Sequence, residues 1–252
     1  PVPRKTMPNT ASPPSSALTL LHLGLGSFHR AHQAVYLHLL QQSGDRRWRL
    51  AGGNIRPDMA DTIAALIAQH GAYTLETVTP QGRRSYTRIS AIQTVLPYEP
   101  DLRGLIELGA RPDTRIISFT VTEAGYYLDA KDQLDLNFAD LRADLAAARQ
   151  QQTGSTQPPP GAGTTSERGH TFYGALAALL RARMVANAGP VTLLNCDNLR
   201  HNGERSRSGL LQFIELMGDS ALLDWVQQNT RSPNAMVDRI TPRPTPDVAV
   251  RV

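Results

Sequence analysis

The amino-acid sequence predicts an α/β fold with a mainly parallel β-sheet, helices on both faces and one antiparallel insertion. Short apolar runs alternate along the chain with longer segments whose apolar residues recur at helical spacing. The apolar runs are almost continuous, which is typical of strands that are buried on both faces of a parallel sheet. The composition agrees with a globular domain, since 40% of the 252 residues are hydrophobic and 19% are charged.

Two strand–helix pairs and a hairpin are predicted in the first part of the chain. The predicted bounds are 19–26 (strand), 31–44 (helix), 47–55 (strand) and 56–71 (helix). Both helices end at a glycine, and the second begins with Pro-Asp, as helices commonly do. Two further strands follow, joined by a turn at Gln81-Gly82, so we expect Tyr73–Leu96 to form an antiparallel hairpin.

The same alternation continues to the end of the predicted domain. The predicted bounds are 102–110 (helix), 114–128 (beginning as a strand), 138–151 (helix), 170–187 (helix), 189–198 (strand), and two helices near 204–217 and 219–229. A segment rich in proline and glycine, 153–169, has no residues that could build a core and is therefore predicted to be a loop.

One domain with a tail at each end is the organisation that we predict. Residues 1–17 are rich in proline and serine and have no apolar core, which indicates disorder and not a secretory signal. Residues 18–241 are expected to form the domain. Three prolines crowd residues 242–252, so we expect this segment to begin a linker to a further domain.

Charge and cysteine content argue against several classes of function. The net charge is +4, but the arginines are scattered and Lys5 and Lys131 are the only lysines, so we expect no nucleic-acid partner. No apolar run approaches the ~18 residues of a membrane span, so we expect no membrane partner. The single cysteine, Cys196, excludes an internal disulfide and a cysteine-rich zinc site, and we expect a cytoplasmic location.

A candidate phosphate-binding turn follows the first predicted strand. Ligands of parallel α/β sheets bind beyond the carboxyl ends of the strands. Gly24 permits a tight turn there, and Gly26 would let the backbone approach a pyrophosphate at the start of the next helix. The third glycine of the usual G-x-G-x-x-G pattern is replaced by His29. A strand–helix turn that simply needs glycine remains the alternative.

An acidic residue follows the second predicted strand at the place where dinucleotide-binding folds hold a ribose. Asp58 comes shortly after Ile55 and could accept hydrogen bonds from the ribose hydroxyls. It could equally be a carboxylate in the first turn of a helix, where the helix dipole favours negative charge. The two roles are compatible with each other.

The histidines and the cysteine near the strand ends also permit other interpretations. His29 and His32 are three residues apart and could share a helix face, with Cys196 or Asp197 as a third metal ligand. Packing or support of a neighbouring group is the alternative for the histidines, and burial in the core is the alternative for Cys196. We expect no metal site.

Four motifs extend this reading to most of the chain. GLGSFHRAHQAVYL, TVTEAGYY, LLNCDNLRHNG and SPNAMVDRITPRPT occur in this order, the motif-bearing region spanning residues 19–245. By these motifs the chain resembles the mannitol dehydrogenase family, the long-chain NAD(P)-dependent polyol dehydrogenases that also include fructuronate reductases. The resemblance implies a Rossmann-type NAD-binding domain, a mostly helical C-terminal domain that is absent from this chain, and an active site in the cleft between the two.

The resemblance also implies roles for particular residues. Asn198 matches the asparagine that helps to polarise the reacting oxygen, and Asp238 matches an acidic residue at the substrate site. Asp58 lies where an acidic residue favours NAD over NADP, whereas Arg56 leaves open an interaction with a 2′-phosphate. The residues that are expected to bind the cofactor are Gly24, Gly26, Ser27, Phe28, Arg56, Asp58 and Glu123.

The implied reaction is the oxidation of a secondary hydroxyl of a sugar alcohol, with D-arabinitol to D-xylulose as the expected case. Oxidation of mannitol and interconversion of fructuronate and mannonate are the alternatives within the family. Hydride transfer of this kind also needs a base for the hydroxyl proton. The family uses the lysine of a Lys-x4-Asn-x2-His pattern on its second domain. Asn198 and His201 have the right spacing, but Leu193 stands in the lysine position, so we expect the isolated chain to be inactive.

Two hypotheses of other classes remain open from the sequence. The chain could be a non-catalytic module that only binds NAD. It could instead be a metal-dependent hydrolase that uses His29, His32 and Asp197.

Overall fold

The computed structural model of the chain describes residues 17–153, 170–238, 240–242 and 248. Most of the predicted tail (1–17), the predicted loop (153–169) and the predicted linker (242–252) therefore lies outside the described residues.

Six strands form one parallel sheet. In chain order the strands of the molecule are β1 Leu18–Leu23, β2 Trp48–Gly53, β3 Tyr73–Val78, β4 Arg84–Ile89, β5 Ile92–Leu96, β6 Thr114–Phe119, β7 Val191–Asn195 and β8 Thr230–Arg231. The order across the main sheet is β5-β2-β1-β6-β7-β8, and every neighbouring pair runs parallel. This order is that of a Rossmann-type fold: successive strands are added on one side of β1, and later strands are then added on its other side, beginning with β6.

Helices cover both faces of the sheet. Successive side chains of a strand point to opposite faces, and because both sets are apolar here, both faces must be covered. The helices are α1 Ser27–Ala31, α2 Gln33–Gln42, α3 Ala60–Ala68, α4 Arg103–Gly109, α5 Ala139–Thr153, α6 Phe172–Val185, α7 Asn202–Met217 and α8 Ser220–Asn229. Leu20 packs in a cluster with residues of α2 and α3. Its neighbour Leu21 packs in a second cluster with residues of α4 to α8. Burial on both faces explains why the strands are continuously apolar.

The predicted antiparallel insertion is present but shorter than expected. Only β3 and β4 pair antiparallel, as a separate two-stranded sheet. The prediction that the hairpin extends to Leu96 is wrong. The chain leaves the hairpin after Ile89, and β5 joins the main sheet parallel to β2. Ile92 is fully buried in this sheet, next to Leu50, so its burial outweighs continuation of the exposed hairpin.

The first two predicted helices differ from the structure at their beginnings. Helix starts at Ser27, before the predicted residue 31, and is interrupted at His32, whose φ of −121° and ψ of −91° are not helical. The second predicted helix begins as a 3₁₀ turn over Pro57–Met59 and continues as α3. Both changes concern the segments that immediately follow the carboxyl ends of β1 and β2.

Candidate functional site

The reversal of strand order places a crevice beyond the carboxyl ends of β1 and β6. From β1 the chain passes to β2 and β5 on one side, and it then returns to β6 on the other side. The connections therefore leave the two central strands in opposite directions, and this point is where open α/β sheets bind ligands. We call residues 24–26, which follow β1 at this point, the glycine turn.

The glycine turn is tight and is held by its own backbone. Gly24 has a φ of +103°, a backbone conformation that residues other than glycine rarely adopt. Its N–H donates to the carbonyl of Gly53 at 2.9 Å, and its carbonyl accepts from the N–H of Gly26 at 2.7 Å. The N–H of Leu25 donates to Oδ1 of the buried Asn54 at 2.8 Å. The end of β2 thus holds the end of β1 in place.

The backbone on the outer side of this turn is open. A Cβ atom added to Gly26 would have no protein atom within 4 Å, and Gly26 has an ordinary φ of −71°. Gly26 is also the N-cap of α1, where no side chain accepts a hydrogen bond from the first turn. The space next to Gly26 is therefore available to a ligand that needs close approach to the backbone.

The two residues after the turn are half-buried and held from within α1. Ser27 Oγ lies 3.5 Å from Nη2 of Arg30, which donates to it. The ring of Phe28 stacks on that of His32, with 5.2 Å between the ring centroids. Of the predicted cofactor-binding residues, Gly24, Gly26, Ser27 and Phe28 therefore lie together at the crevice.

Asp58 and Arg56 follow β2 but differ in their contacts. Asp58 is exposed in the 3₁₀ turn, with its carboxylate accessible to a ligand. Arg56 is partly exposed and contacts other parts of the chain: Nη2 donates to the hydroxyl of Tyr127 at 3.0 Å and to Oδ2 of Asp140 at 3.4 Å. Its Nε donates to the carbonyl of His170 at 3.3 Å. The structure thus leaves Asp58 accessible and engages Arg56 in internal contacts.

A network of polar side chains lies beyond the end of β7. Asp197 Oδ1 accepts from the N–H of Val121 at 2.6 Å, and its Oδ2 accepts from the hydroxyl of Tyr126 at 2.5 Å. That hydroxyl in turn accepts from Nδ2 of Asn195. Residues after β6 and residues after β7 are thereby tied together. We call residues 195–202 the asparagine loop.

A buried amide connects the asparagine loop to the segment that carries Asp238. Nδ2 of Asn202 donates to the carbonyl of Asp197 at 2.8 Å and to that of Ala235 at 2.9 Å. Oδ1 of Asn202 accepts from the N–H groups of Gly203 and Ala235 at 2.8 and 2.9 Å. The strand end at residues 195–198 is recognisable in the sequence, but Asn202 and Tyr126 are not. No local sequence pattern indicates their role, because they bond to residues that are distant in the chain.

Burial shifts the ionisation of two groups in the asparagine loop. It raises the pKa of Asp197 to about 6, although the hydrogen bonds from Tyr126 and from the N–H of Val121 act in the opposite direction. Burial, with a smaller contribution from the Asp197 charge, raises the pKa of the Cys196 thiol to about 12. Cys196 is thus a buried, protonated thiol and has no thiolate character near neutral pH.

The predicted substrate residues lie on the exposed side of this network. Asn198 is exposed and borders an open groove of about 780 Å³ that is also lined by residues at the start of α7. Asp238 is exposed three residues after Ala235. Arg239, an alternative ion-pair partner for Asp238, lies outside the described residues. The buried amide of Asn202 thus joins the segments that bear Asn198 and Asp238.

The remaining candidates do not form a site of their own. Among the described residues, no group of three or more His, Cys, Asp or Glu side chains could hold a metal ion. His29 is buried against the ring of His22, and Asp197 is bound by its neighbours, so His29, His32 and Asp197 do not form a ligand set. Glu123 begins the 3₁₀ turn Glu123–Tyr126 after β6, but its side chain lies outside what is described.

Comparison with known proteins identifies close relatives over nearly the whole chain. Residues 18–250 match the family described as "Mannitol dehydrogenase Rossmann domain". A D-arabinitol 4-dehydrogenase of Klebsiella pneumoniae is 50% identical over 94% of the chain, and one of Ralstonia nicotianae is 54% identical over 96%. A mannitol 2-dehydrogenase of Cereibacter sphaeroides is 39% identical over 90%. The chain spans about half the length of the curated relatives it matches, 48%, 48% and 44% in these cases.

A solved structure has the same fold. A Pseudomonas fluorescens mannitol 2-dehydrogenase, determined as a ternary complex with NAD and D-mannitol, superposes with a TM-score of 0.78 at 30% sequence identity. The match covers 96% of this chain and 46% of that protein. Within the described part of the chain, no helix is long and apolar enough to cross a membrane.

Proposed function

The chain belongs to the mannitol dehydrogenase family, and we propose that it is the NAD-binding part of an enzyme that oxidises a secondary hydroxyl of a sugar alcohol. D-arabinitol, oxidised to D-xylulose, is the substrate that the relatives favour. Two relatives that are 50% and 54% identical are named D-arabinitol 4-dehydrogenase, whereas two that are named mannitol 2-dehydrogenase are 39% and 36% identical.

The observation that carries the proposal is the glycine turn at the reversal of strand order. A dinucleotide needs a place where its pyrophosphate can approach the backbone without meeting a side chain. The open space at Gly26 fits this requirement, and so does the uncapped first turn of α1. The solved relative that contains NAD supports the same assignment for this fold.

The contacts after β2 favour NAD over NADP in this proposal. The exposed carboxylate of Asp58 would accept hydrogen bonds from ribose hydroxyls and would repel a 2′-phosphate. Arg56 already donates to Tyr127 and Asp140, and the Asp140 carboxylate offsets part of the positive charge that would attract such a phosphate. The alternative role of Arg56 is thus less favourable than its internal one.

The chemistry of the reaction divides between the cofactor and this chain. NAD, when bound, accepts the hydride. We assign to the Asn198 amide the donation of a hydrogen bond to the oxygen that develops negative charge, because a neutral amide does not compete for the hydroxyl proton. We assign to Asp238 the acceptance of a hydrogen bond from another hydroxyl of the substrate. The buried amide of Asn202 connects the two segments that carry these residues.

We further propose that the general base comes from a domain outside these 252 residues. Of the two lysines, Lys131 lies in an exposed turn, and neither lysine has the spacing Lys-x4-Asn-x2-His. The length of the relatives, about twice the matched region, leaves room for such a domain. The isolated chain is therefore expected to bind NADH and to oxidise D-arabinitol at a negligible rate.

Fluorescence titration with NADH tests the cofactor assignment. The chain should bind NADH, and Gly26→Val should weaken binding by about tenfold or more, because its side chain would occupy the pyrophosphate space. The unfolding temperature should change little, since the protein itself leaves that space empty. Absence of NADH binding by the unchanged chain would refute the proposal.

Turnover separates the enzyme from a non-catalytic module. The first assay measures D-arabinitol oxidation by these 252 residues alone. A rate equal to that of a complete relative would refute the proposal that the general base lies outside them. The second assay uses the protein that is expressed from the full reading frame. NADH binding without oxidation of any polyol would then indicate a module that only binds the cofactor.

A further inference from the structure

A fully buried histidine lies directly beneath the glycine turn. His22, near the end of β1, has no exposed surface. Its Nε2 lies 3.0 Å from the carbonyl oxygen of Gly24, and its Nδ1 lies 2.8 Å from Oγ of Ser118 on β6. The Gly24 carbonyl also accepts from the N–H of Gly26, so the histidine and the turn share one acceptor. His22 therefore connects both central strands to the turn.

A second buried histidine is stacked on the first. The rings of His22 and His29 are nearly parallel, at 17°, with 3.6 Å between their centroids. His29 is 1% exposed, and neither of its ring nitrogens has a hydrogen-bond partner among the described residues. An uncompensated charge in such a place is costly, so His29 is neutral. Burial also lowers the pKa of His22 to about 3, so both rings are neutral near pH 7.

The partners of His22 determine which of its nitrogens carries the proton. A carbonyl oxygen can only accept, so Nε2 must donate to Gly24. In a neutral ring Nδ1 is then an acceptor, and the single hydroxyl proton of Ser118 must point to it. Oε1 of Gln33 lies 2.9 Å from Oγ of Ser118, and Nε2 of Gln33 faces the Cys196 sulfur. With the Ser118 proton on Nδ1 of His22, the Gln33 amide takes the reversed orientation, in which its nitrogen donates to Ser118, because amide oxygen and nitrogen are assigned from the hydrogen-bond network.

We propose that His22, as the neutral Nε2–H tautomer, is a positioning residue that holds the glycine turn in the conformation that receives the cofactor pyrophosphate. The inference rests on the proposed NAD-binding function. His22 does not touch the crevice, so it acts through the Gly24 carbonyl. The ring of His29, which stands in the third glycine position of the turn motif, stacks on that of His22 and limits its rotation.

Paired substitutions separate the hydrogen bond from the volume of the side chain. His22→Met fills similar space without a donor, whereas His22→Gln can place an N–H close to the position of Nε2. His38 is also a buried histidine, but its partners are Gln42 and Ser90, away from the turn. His38→Met is therefore the matched control for loss of a buried imidazole.

Three ligands report on different parts of the site. NADH and ADP-ribose contain the pyrophosphate, whereas adenosine does not. His22→Met should weaken NADH and ADP-ribose by about tenfold and leave adenosine unchanged, and His22→Gln should recover most of the loss. His38→Met should bind all three ligands as the unchanged chain does. Equal weakening of adenosine, or unchanged ADP-ribose affinity in folded His22→Met, would overturn the inference.

The tautomer supplies a test that does not depend on variants or ligands. Nitrogen-15 NMR of the unchanged chain between pH 6 and 8 should show His22 neutral, protonated at Nε2 and not at Nδ1. A charged ring or the Nδ1–H tautomer would overturn the inference even if His22→Met failed to fold. Failure of the unchanged chain to bind ADP-ribose would instead refute the proposed function, and with it the purpose of the turn. The hydrogen bond itself would still be decided by NMR.

Discussion

The glycine turn and the asparagine loop lie at the same edge of the sheet but present different chemistry. The glycine turn offers open backbone at Gly26 and is supported from below by the neutral ring of His22. The asparagine loop offers exposed side chains, and a buried network that includes the carboxylate of Asp197 supports it. The first suits an anion that must approach the main chain closely, and the second suits a polyhydroxylated substrate.

The difference shows that each region depends on buried polar groups of a different kind. Beneath the glycine turn the supporting groups are two stacked histidines that are neutral near pH 7, so they contribute a hydrogen bond and packing without charge. In the asparagine loop one amide, that of Asn202, satisfies four backbone groups from three segments. Substitutions should therefore affect stability most in the asparagine loop and cofactor affinity most in the glycine turn.

The largest expected effect is on the asparagine loop. Asn202→Ala removes the partners of four backbone groups around a fully buried position. Because buried polar groups without partners are costly, the free energy of unfolding should fall by about 3 kcal/mol. Denaturant unfolding measures this change, and the affinity for NADH should be retained in the fraction that remains folded.

Asn229→Ala is the matched control for Asn202→Ala. Asn229 makes a hydrogen bond from Nδ2 to the carbonyl of Trp225 at 3.0 Å, near the end of α8. Its loss should cost about 1 kcal/mol or less. Equal losses for the two variants would contradict the central role of Asn202.

The next largest effect concerns the backbone of the glycine turn. Gly24→Ala forces a side chain onto a φ of +103°, and the free energy of unfolding should fall by about 2 kcal/mol. Gly44→Ala is the control, because Gly44 has a φ of +93° and no protein atom within 4 Å of an added Cβ. Both variants should lose similar stability, but only Gly24→Ala should also weaken NADH. Equal NADH affinity for both would separate the turn from the cofactor.

How much of this could be predicted from sequence differs between the two regions. The glycine turn was predictable because its signal is local, namely a buried strand, two glycines and a helix within a few residues. The network of the asparagine loop was not, because Tyr126 and Asp197 are 71 residues apart and Asn202 and Ala235 are 33 apart. Such contacts depend on strand order, which apolar periodicity does not determine. The same limitation explains why β5 was assigned to the hairpin.

Opposite responses to acid, of about 1.4 kcal/mol or less per pH unit, distinguish the two regions. The native pKa of His22 is about 3 and its ordinary value is 6.5. Between these values the unfolded chain binds a proton that the native chain does not bind. The free energy of unfolding should therefore fall as the pH is lowered from 6.5, by up to about 1.4 kcal/mol per pH unit for this group.

Asp197 should act in the opposite direction over part of the same range. Its native pKa of about 6 lies above its ordinary value of 3.8, so between these values the native chain binds the extra proton. Its contribution to the free energy of unfolding rises as the pH falls from 6 toward 4. Urea unfolding at several pH values should thus give a weaker acid dependence for His22→Gln and a stronger one for Asp197→Asn. Parallel curves for the two variants would contradict these shifts.

The smallest expected effect on stability is at the exposed side of the asparagine loop. Asn198 is exposed beside the groove, so Asn198→Ala should change the free energy of unfolding by less than about 0.5 kcal/mol. NADH affinity should also stay within about twofold, because the proposed role of this amide is toward the substrate oxygen. In a chain that carries the catalytic base, the turnover number should fall by about 100-fold, as expected for loss of one donor to a developing oxyanion. A loss of stability comparable with that of Asn202→Ala would instead make Asn198 part of the buried support, and the substrate-facing role would then have to be given up.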